Sequence, residues 1–298
     1  MENGEFEMED IRIHEYRRLD LRDAFVIDGF PSVGLVSTIT ASYIVAALDM
    51  ELIGLMDSVY FPTVSVVRNG EPHHPVRFYA GDIEGPGGDW TRLVVFLSEF
   101  QPPSNLIKMI CTTMLDWAQD QKCSCLISPE GLVVEGEDQI TNMTMRTHEG
   151  DIIGAPSAVE KEQEEEAEPA QKIDLSANVE KQVFGLSSHE SGRERLKKAE
   201  VPIFPEGIIS GIPGVLLNEG KKRGFEVTCL LAEARDNIPD ARAAAKIIET
   251  LKRIIPYFEV DLTALYAEAD LLEAKMQGYQ KINKPGGKRT PPTPPMYG

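Results

Sequence analysis

Residues 24–50 read AFVIDGFPSVGLVSTITASYIVAALDM, and the class of fold turns on how this stretch is divided. Phe25, Val26 and Ile27 form a short apolar run suited to a buried strand. Gly29-Phe30-Pro31 breaks that run, and Ser32 is placed to cap the start of a helix. Leu35, Ile39 and Tyr43 then recur at helical spacing along one expected face. A strand, a tight turn and a helix make the repeating unit of α/β proteins. The next apolar run, LIGLM at 52–56, supplies a second buried strand.

The same alternation continues downstream. TVSVVRNGEPHHPVRFYAG (63–81) reads as a hairpin about Asn69-Gly70, a pair suited to positive φ angles. RLVVFLSEF (92–100) is a continuous apolar strand. The helix after it, in 102–121, is opened by Ser104 and buries Leu106, Ile110, Met114 and Trp117. CSCLISPEG (123–131) is a strand again. Apolar strands separated by helices predict an α/β/α domain with three layers and a largely parallel central sheet.

Near residue 150 the pattern stops. Six glutamates fall between Glu160 and Glu168, with almost no apolar periodicity, and about 155–180 reads as a disordered acidic insertion. Structure resumes at QVFGLSS (182–188), and Ser191 with Glu194 suggests a capping box. GIISGIPGVLLNEGKKRGFEVTCLLAEA (207–234) predicts a glycine-rich turn, a short helix and a strand. PDARAAAKIIETLKRII (239–255) is a helix with Pro239 in its first turn and Ile247, Leu251 and Ile254 on one face. Leu262, Leu265, Ala269, Leu272 and Met276 then step by three and four. This narrow seam is read either as packing on the parent domain or as a homo-oligomer contact. The domain is thus expected over 1–276, followed by a flexible, basic, proline-rich tail over 277–298.

Composition narrows the function. The net charge of −18 opposes general nucleic-acid binding and acidic membrane surfaces, since phosphate contacts need a basic face. No apolar run approaches the roughly 18 residues of a membrane span, and MENGEFEMED has no signal-peptide character, so a cytoplasmic protein is expected. Cys111, Cys123, Cys125 and Cys229 contain no C-x-x-C pair and are read as reduced core thiols; on a strand, Cys123 and Cys125 would share a face. His73 and His74 are adjacent and would point to opposite faces of a strand, which makes a poor chelating pair; no metal or cofactor is expected.

Two turns invite a phosphate reading, DGFPSVG (28–34) and GIISGIPG (207–214), because helix N-termini present free N–H groups. Neither matches a nucleotide-binding fingerprint, although a nucleotide-type binding protein or enzyme is the alternative they support. Asp28, Asp57 and Asp82 lie near expected strand ends, where α/β active sites form, yet no catalytic set is visible.

DGFPSVGLVSTITASYIVAALDMELIGLM (28–56) and GIISGIPGVLLNEGKKRGFEVTCLLAEARDNIPDARAAAKIIETLKRI (207–254) resemble the proteasome assembly chaperone family in its archaeal branch. The resemblance runs from about 20 to about 276 and is interrupted by the acidic insertion, which is not part of the family pattern. It implies an α/β/α domain without established catalysis that binds proteasome subunits. It also gives the last residues a meaning. Met296-Tyr297-Gly298 is similar to the hydrophobic–tyrosine–any-residue terminus of proteasomal ATPases, which enters pockets between α-subunits of the 20S core. On that implication, the carboxylate pairs with a pocket lysine, Tyr297 supplies ring and hydroxyl, and Met296 fills an apolar site. The proline run keeps the peptide extended, and Lys281, Lys284, Lys288 and Arg289 aid the approach to an acidic rim.

Overall fold

Strands that pair in parallel have to be covered on both faces, and this chain meets that demand with helices on each side of one sheet. The computed structural model describes residues 11–133, 182–235 and 238–271. The strands are β1 (Arg12–Glu15), β2 (Phe25–Ile27), β3 (Glu51–Asp57), β4 (Val66–Arg68), β5 (Glu71–His73), β6 (Val76–Glu84), β7 (Trp90–Ser98), β8 (Cys125–Leu132), β9 (Val183–Ser187) and β10 (Val227–Glu233). The helices are α1 (Val36–Ala47), α2 (Ser104–Asp120), α3 (Glu190–Lys198), α4 (Gly211–Arg223) and α5 (Ala241–Ile254), and 263–271 is also helical.

Eight strands form a single sheet in the order β1-β3-β6-β7-β2-β8-β10-β9. Neighbouring pairs are parallel across the centre, β7-β2-β8-β10, and antiparallel at both margins. The expected largely parallel sheet is therefore mixed. Direct hairpin connection explains one antiparallel margin: β6 returns to β7 through a short turn, with Glu84 opposite Trp90. The hairpin expected about Asn69-Gly70 forms outside the sheet as β4-β5, with Arg68 opposite Glu71 and φ of 53° and 83° at the two turn residues.

The pleat of β2 splits the core into two layers. Phe25 and Ile27 face the layer of α1 and α5 with Ala41, Ile44, Ile247 and Leu251, while Val26 faces the layer of α2 and α4 with Ile110, Met114, Ile212 and Leu216. In this second layer Phe78, Phe96 and Trp117 pack as a ring cluster at centroid distances of 5.0–5.4 Å. The α2 stripe is buried as expected from its spacing.

Several local expectations need revision. Leu35 is exposed and Ile39 and Tyr43 are only partly covered, whereas Val36, Thr40, Ala41 and Ile44 are buried. A 3-10 turn, Val33–Leu35, with left-handed backbone at Gly34 and Leu35, precedes α1 and re-aims its face. Ser32 still accepts a hydrogen bond, from the Ser37 N–H at 3.0 Å, beyond that turn. Ser104 is the first residue of α2 rather than its cap. Helix α3 starts before Ser191, whose hydroxyl donates to Glu226 at 2.6 Å instead of closing a capping box. Asp240, not anticipated, caps α5 through the Ala243 N–H. Cys123 and Cys125 lie in opposite layers because Cys123 precedes β8, and all four thiols are free and buried.

Of the seam residues, Leu262, Leu265 and Ala269 are buried in the chain's own α1/α5 layer, while Leu272 and Met276 lie outside the described residues. The acidic insertion, the tail and Met296, Tyr297 and Gly298 lie outside them too. In the described half of the seam, packing on the parent domain leaves no apolar side chain for a second subunit. Leu265→Ala is expected to lower stability by about 3 kcal/mol through the cavity it leaves. Urea titration at two protein concentrations checks this: the loss should be the same at both, and a concentration-dependent loss would put the residue at a subunit contact.

Candidate functional site

β3, β7, β2, β8 and β10 all run in one direction, so their carboxyl ends meet at one end of the sheet. In open α/β sheets this end carries the ligand and partner sites. Three further strands start there: Arg12 of β1 is opposite Asp57, Val76 of β6 opposite Ser98, and Val183 of β9 opposite Ala232. The ends of the 134–181 segment therefore both sit at this pole, at 133 and 182. The 263–271 helix reaches it as well. Tyr266 donates to Glu249 midway along α5, and one turn later Asp270 pairs with Arg242 at the start of α5.

Two buried carboxyls occupy the middle of this end. Asp28 follows β2, accepts the Phe30 N–H at 3.0 Å and accepts the Ser128 hydroxyl at 2.8 Å. Glu130, on β8, accepts the Val33 N–H at 3.3 Å and the Gly131 N–H at 3.1 Å, and also bonds the Ser32 side chain. Burial pushes Asp28 up to about 6 against these hydrogen bonds. Burial first, and the Asp28 charge second, push Glu130 up to about 8. At neutral pH Asp28 is thus the charged member and Glu130 is largely protonated.

The turn is pressed onto β8 at the same place. A Cβ on Gly131 would lie 2.2 Å from the Val33 carbonyl oxygen, so only glycine permits this approach. Gly34 bonds the next loop, its carbonyl accepting the Asp240 N–H at 2.8 Å. Within 28–34 the Phe30 N–H is taken by Asp28 and the Val33 N–H by Glu130, so these two donors already meet carboxyls of the chain. The second glycine-rich turn, 207–214, leads into α4 on the other face of the sheet. The two turns do not converge on one cradle, and the first would meet a phosphate with carboxyl groups. Asp57 lies at this same pole, but Asp82 lies toward the opposite end, paired with Arg92. Glu130 escaped the sequence reading, although an acid inside the apolar run LISPEG is itself a sign of a special environment.

Beside these acids stands an arm, residues 58–73, between β3 and β6. Its base is closed by a 3.0 Å hydrogen bond between Asp57 and the His74 Nε2. Glu99, just past β7, takes Arg68 of the arm at 2.8 Å and the buried Arg77 at 2.6 Å. Burial pushes Glu99 up, but these two arginines outweigh it and hold the carboxyl below its usual range. Phe61 is buried edge-on against Phe100 at 5.1 Å. His73 and His74 make different contacts, and among the described residues no three His, Cys, Asp or Glu side chains gather as a metal site. No described helix is long and apolar enough to cross a membrane.

The profile of the PAC2 family matches residues 26–280. The chain belongs to the PAC2 family. A relative, an uncharacterized protein of Methanocaldococcus jannaschii, is 21% identical over 91% of both chains. The structure of Pyrococcus furiosus PbaA, described as an archaeal homolog of proteasome-assembly chaperone, superposes with a TM-score of 0.66 at 23% identity and covers 92% of each chain. Pyrococcus furiosus PbaB, described as an archaeal proteasome activator, superposes with a TM-score of 0.67 at 22% identity, over 92% of this chain and 100% of its own. At such identities the likeness establishes a shared PAC2 fold, and the PAC2 match stops before the proline run that precedes Met296.

The buried acids of this PAC2 domain give a testable pH dependence. Because folding raises the Glu130 pKa, the folded state holds its proton when the unfolded chain has released it. Stability is then full below the unfolded value of 4.5 and declines as pH rises toward about 8. The decline is on the order of 5 kcal/mol when complete. Glu130→Gln keeps the acceptor oxygen and removes the titration, so its melting temperature should fall less than the wild type's between pH 5 and pH 9. Parallel melting curves for the two proteins would show Glu130 to ionise normally.

Proposed function

We propose that this protein is a non-enzymatic, cytoplasmic proteasome-binding factor of the chaperone or activator kind. In this reading Met296, Tyr297 and Gly298 enter pockets between α-subunits of the 20S core. One observation carries it: a PAC2 domain is followed by a basic, proline-rich segment that ends in a hydrophobic residue, a tyrosine and a glycine. The neighbours PbaA and PbaB support it through their own described association with proteasome assembly and activation. The buried acids fit a structural role better than a catalytic one, since the hydrogen bonds that hold each of them tie the turn after β2 to β8.

The pocket chemistry follows from the residue types. Tyr297 brings an apolar ring with a hydroxyl at its tip, and Met296 adapts to an irregular apolar wall. Prolines 291, 292, 294 and 295 restrict the peptide before it binds, which lowers the ordering cost. At ~3.1 Å per residue an extended tail spans several tens of ångströms. The reading includes a homo-oligomer, because linked tails on a ring of repeated pockets gain avidity. Leu262, Leu265 and Ala269 are covered inside the chain, so in this reading the contact draws on Leu272 and Met276 of the same seam together with other surfaces.

Tyr297→Ala is expected to weaken binding to purified 20S core particles by tenfold or more while leaving the melting temperature unchanged. One residue added after Gly298 should be comparably harmful, because it moves the carboxylate away from its lysine. Surface plasmon resonance on immobilised core particles measures both. Wild-type affinity in the two variants would place recognition in the folded body and overturn the docking reading.

A further inference from the structure

The arm at 58–73 has a composition unlike the rest of the chain. Residues 58–67 carry no Asp, Glu, Lys or Arg, in a protein with a net charge of −18. Large apolar side chains stand out from it: Val59 is 86% exposed, Val64 53%, Val67 65% and Tyr60 47%. Scattered exposed apolar residues are ordinary, but four within nine positions of an uncharged segment are not. The arm is also held in place. Phe61 roots it against Phe100, Arg68 ties it to Glu99, and Asp57 with His74 closes its base. An arm fixed before binding loses little conformational entropy on contact.

Its position names the occupant. The arm springs from the carboxyl end of β3, at the pole where Asp270 pairs with Arg242 and the described residues end at 271. A tail that docks from this pole brings this pole to face what it docks on. We infer that the 58–73 arm is a second contact on the same partner, its exposed valines resting on an uncharged apolar surface of the α-ring beside the tail pocket. This rests on the docking reading above. The tail supplies reach and pocket specificity, and the arm fixes the orientation of the body once the tail is seated.

The test uses full-length protein and intact 20S core particles in four forms: wild type, Val59→Ser/Val64→Ser/Val67→Ser, Tyr297→Ala, and the two sets combined. The exposed valines support no core, so the triple variant should melt with the wild type. Its Kd is expected to rise about tenfold to a hundredfold, as loss of several apolar contacts implies. A photoreactive benzoylphenylalanine in place of Val64 should cross-link to an α-subunit, and Tyr297→Ala should suppress that cross-link. If Tyr297→Ala weakens binding but the triple variant binds as tightly as wild type, the arm inference is wrong and tail docking stands. If Tyr297→Ala has no effect, or the wild type does not bind, the docking reading falls and this inference with it. A cross-link formed only to a second copy of this chain would make the arm a self-association surface and overturn the inference.

Discussion

Parallel pairing of β7, β2, β8 and β10 is the constraint on which the rest of the molecule depends. Parallel neighbours cannot be joined by tight turns, so the chain has to cross the sheet faces between them, and helices cover both sides. The same constraint collects strand ends of one polarity at one place. Here it brings together the turn after β2, the Glu130 end of β8, the arm after β3, and the start of α5 with its Arg242–Asp270 pair.

That gathering has an electrostatic cost, and the structure contains it locally. Two carboxyls lie buried within one shell of hydrogen bonds. One charge in that shell is tolerated because Phe30 and Ser128 hydrogen-bond it; a second would be repelled by the first and desolvated as well. Protonated at neutral pH, Glu130 acts as a clasp between β8 and the turn of Val33, where Gly131 admits the close approach. The clasp takes the Val33 N–H, and Asp28 takes that of Phe30, so both donors that could make the turn attractive to anions face a carboxyl. A motif that looks like a nucleotide loop is therefore a structural joint.

In the proposed function, a PAC2 body whose pole carries an anchored arm, uncharged over 58–67, serves contact with another macromolecule. The two proposed contacts differ in kind. A proline-rich tail offers reach with modest ordering cost, whereas the arm offers a fixed apolar surface. Reach without orientation captures a partner loosely, and a rigid surface without reach meets it rarely. Both together at one pole suit binding to a ring with repeated sites.

The sequence by itself determined the elements that arise from local chemistry. Strand-turn-helix at 24–50, the α2 stripe through Trp117 and the Asn69-Gly70 hairpin depend on periodicity and backbone preference within a few residues. Residue patterns also exposed the two halves of the family resemblance on either side of the acidic segment. Only tertiary structure decided which residues share an environment. Leu262 and Leu265 have the spacing of a seam between chains, but α1 and α5 cover them within one chain. Asp28 and Glu130 are about a hundred residues apart and become neighbours because β2 and β8 pair in register, Ile27 opposite Ile127. The β3 and β7 ends meet through a hairpin order, β3-β6-β7, that no periodicity encodes, and so the arm and the Arg242–Asp270 pair came to share one pole. Periodicity reports which side of an element is buried; long-range pairing alone sets what it is buried against.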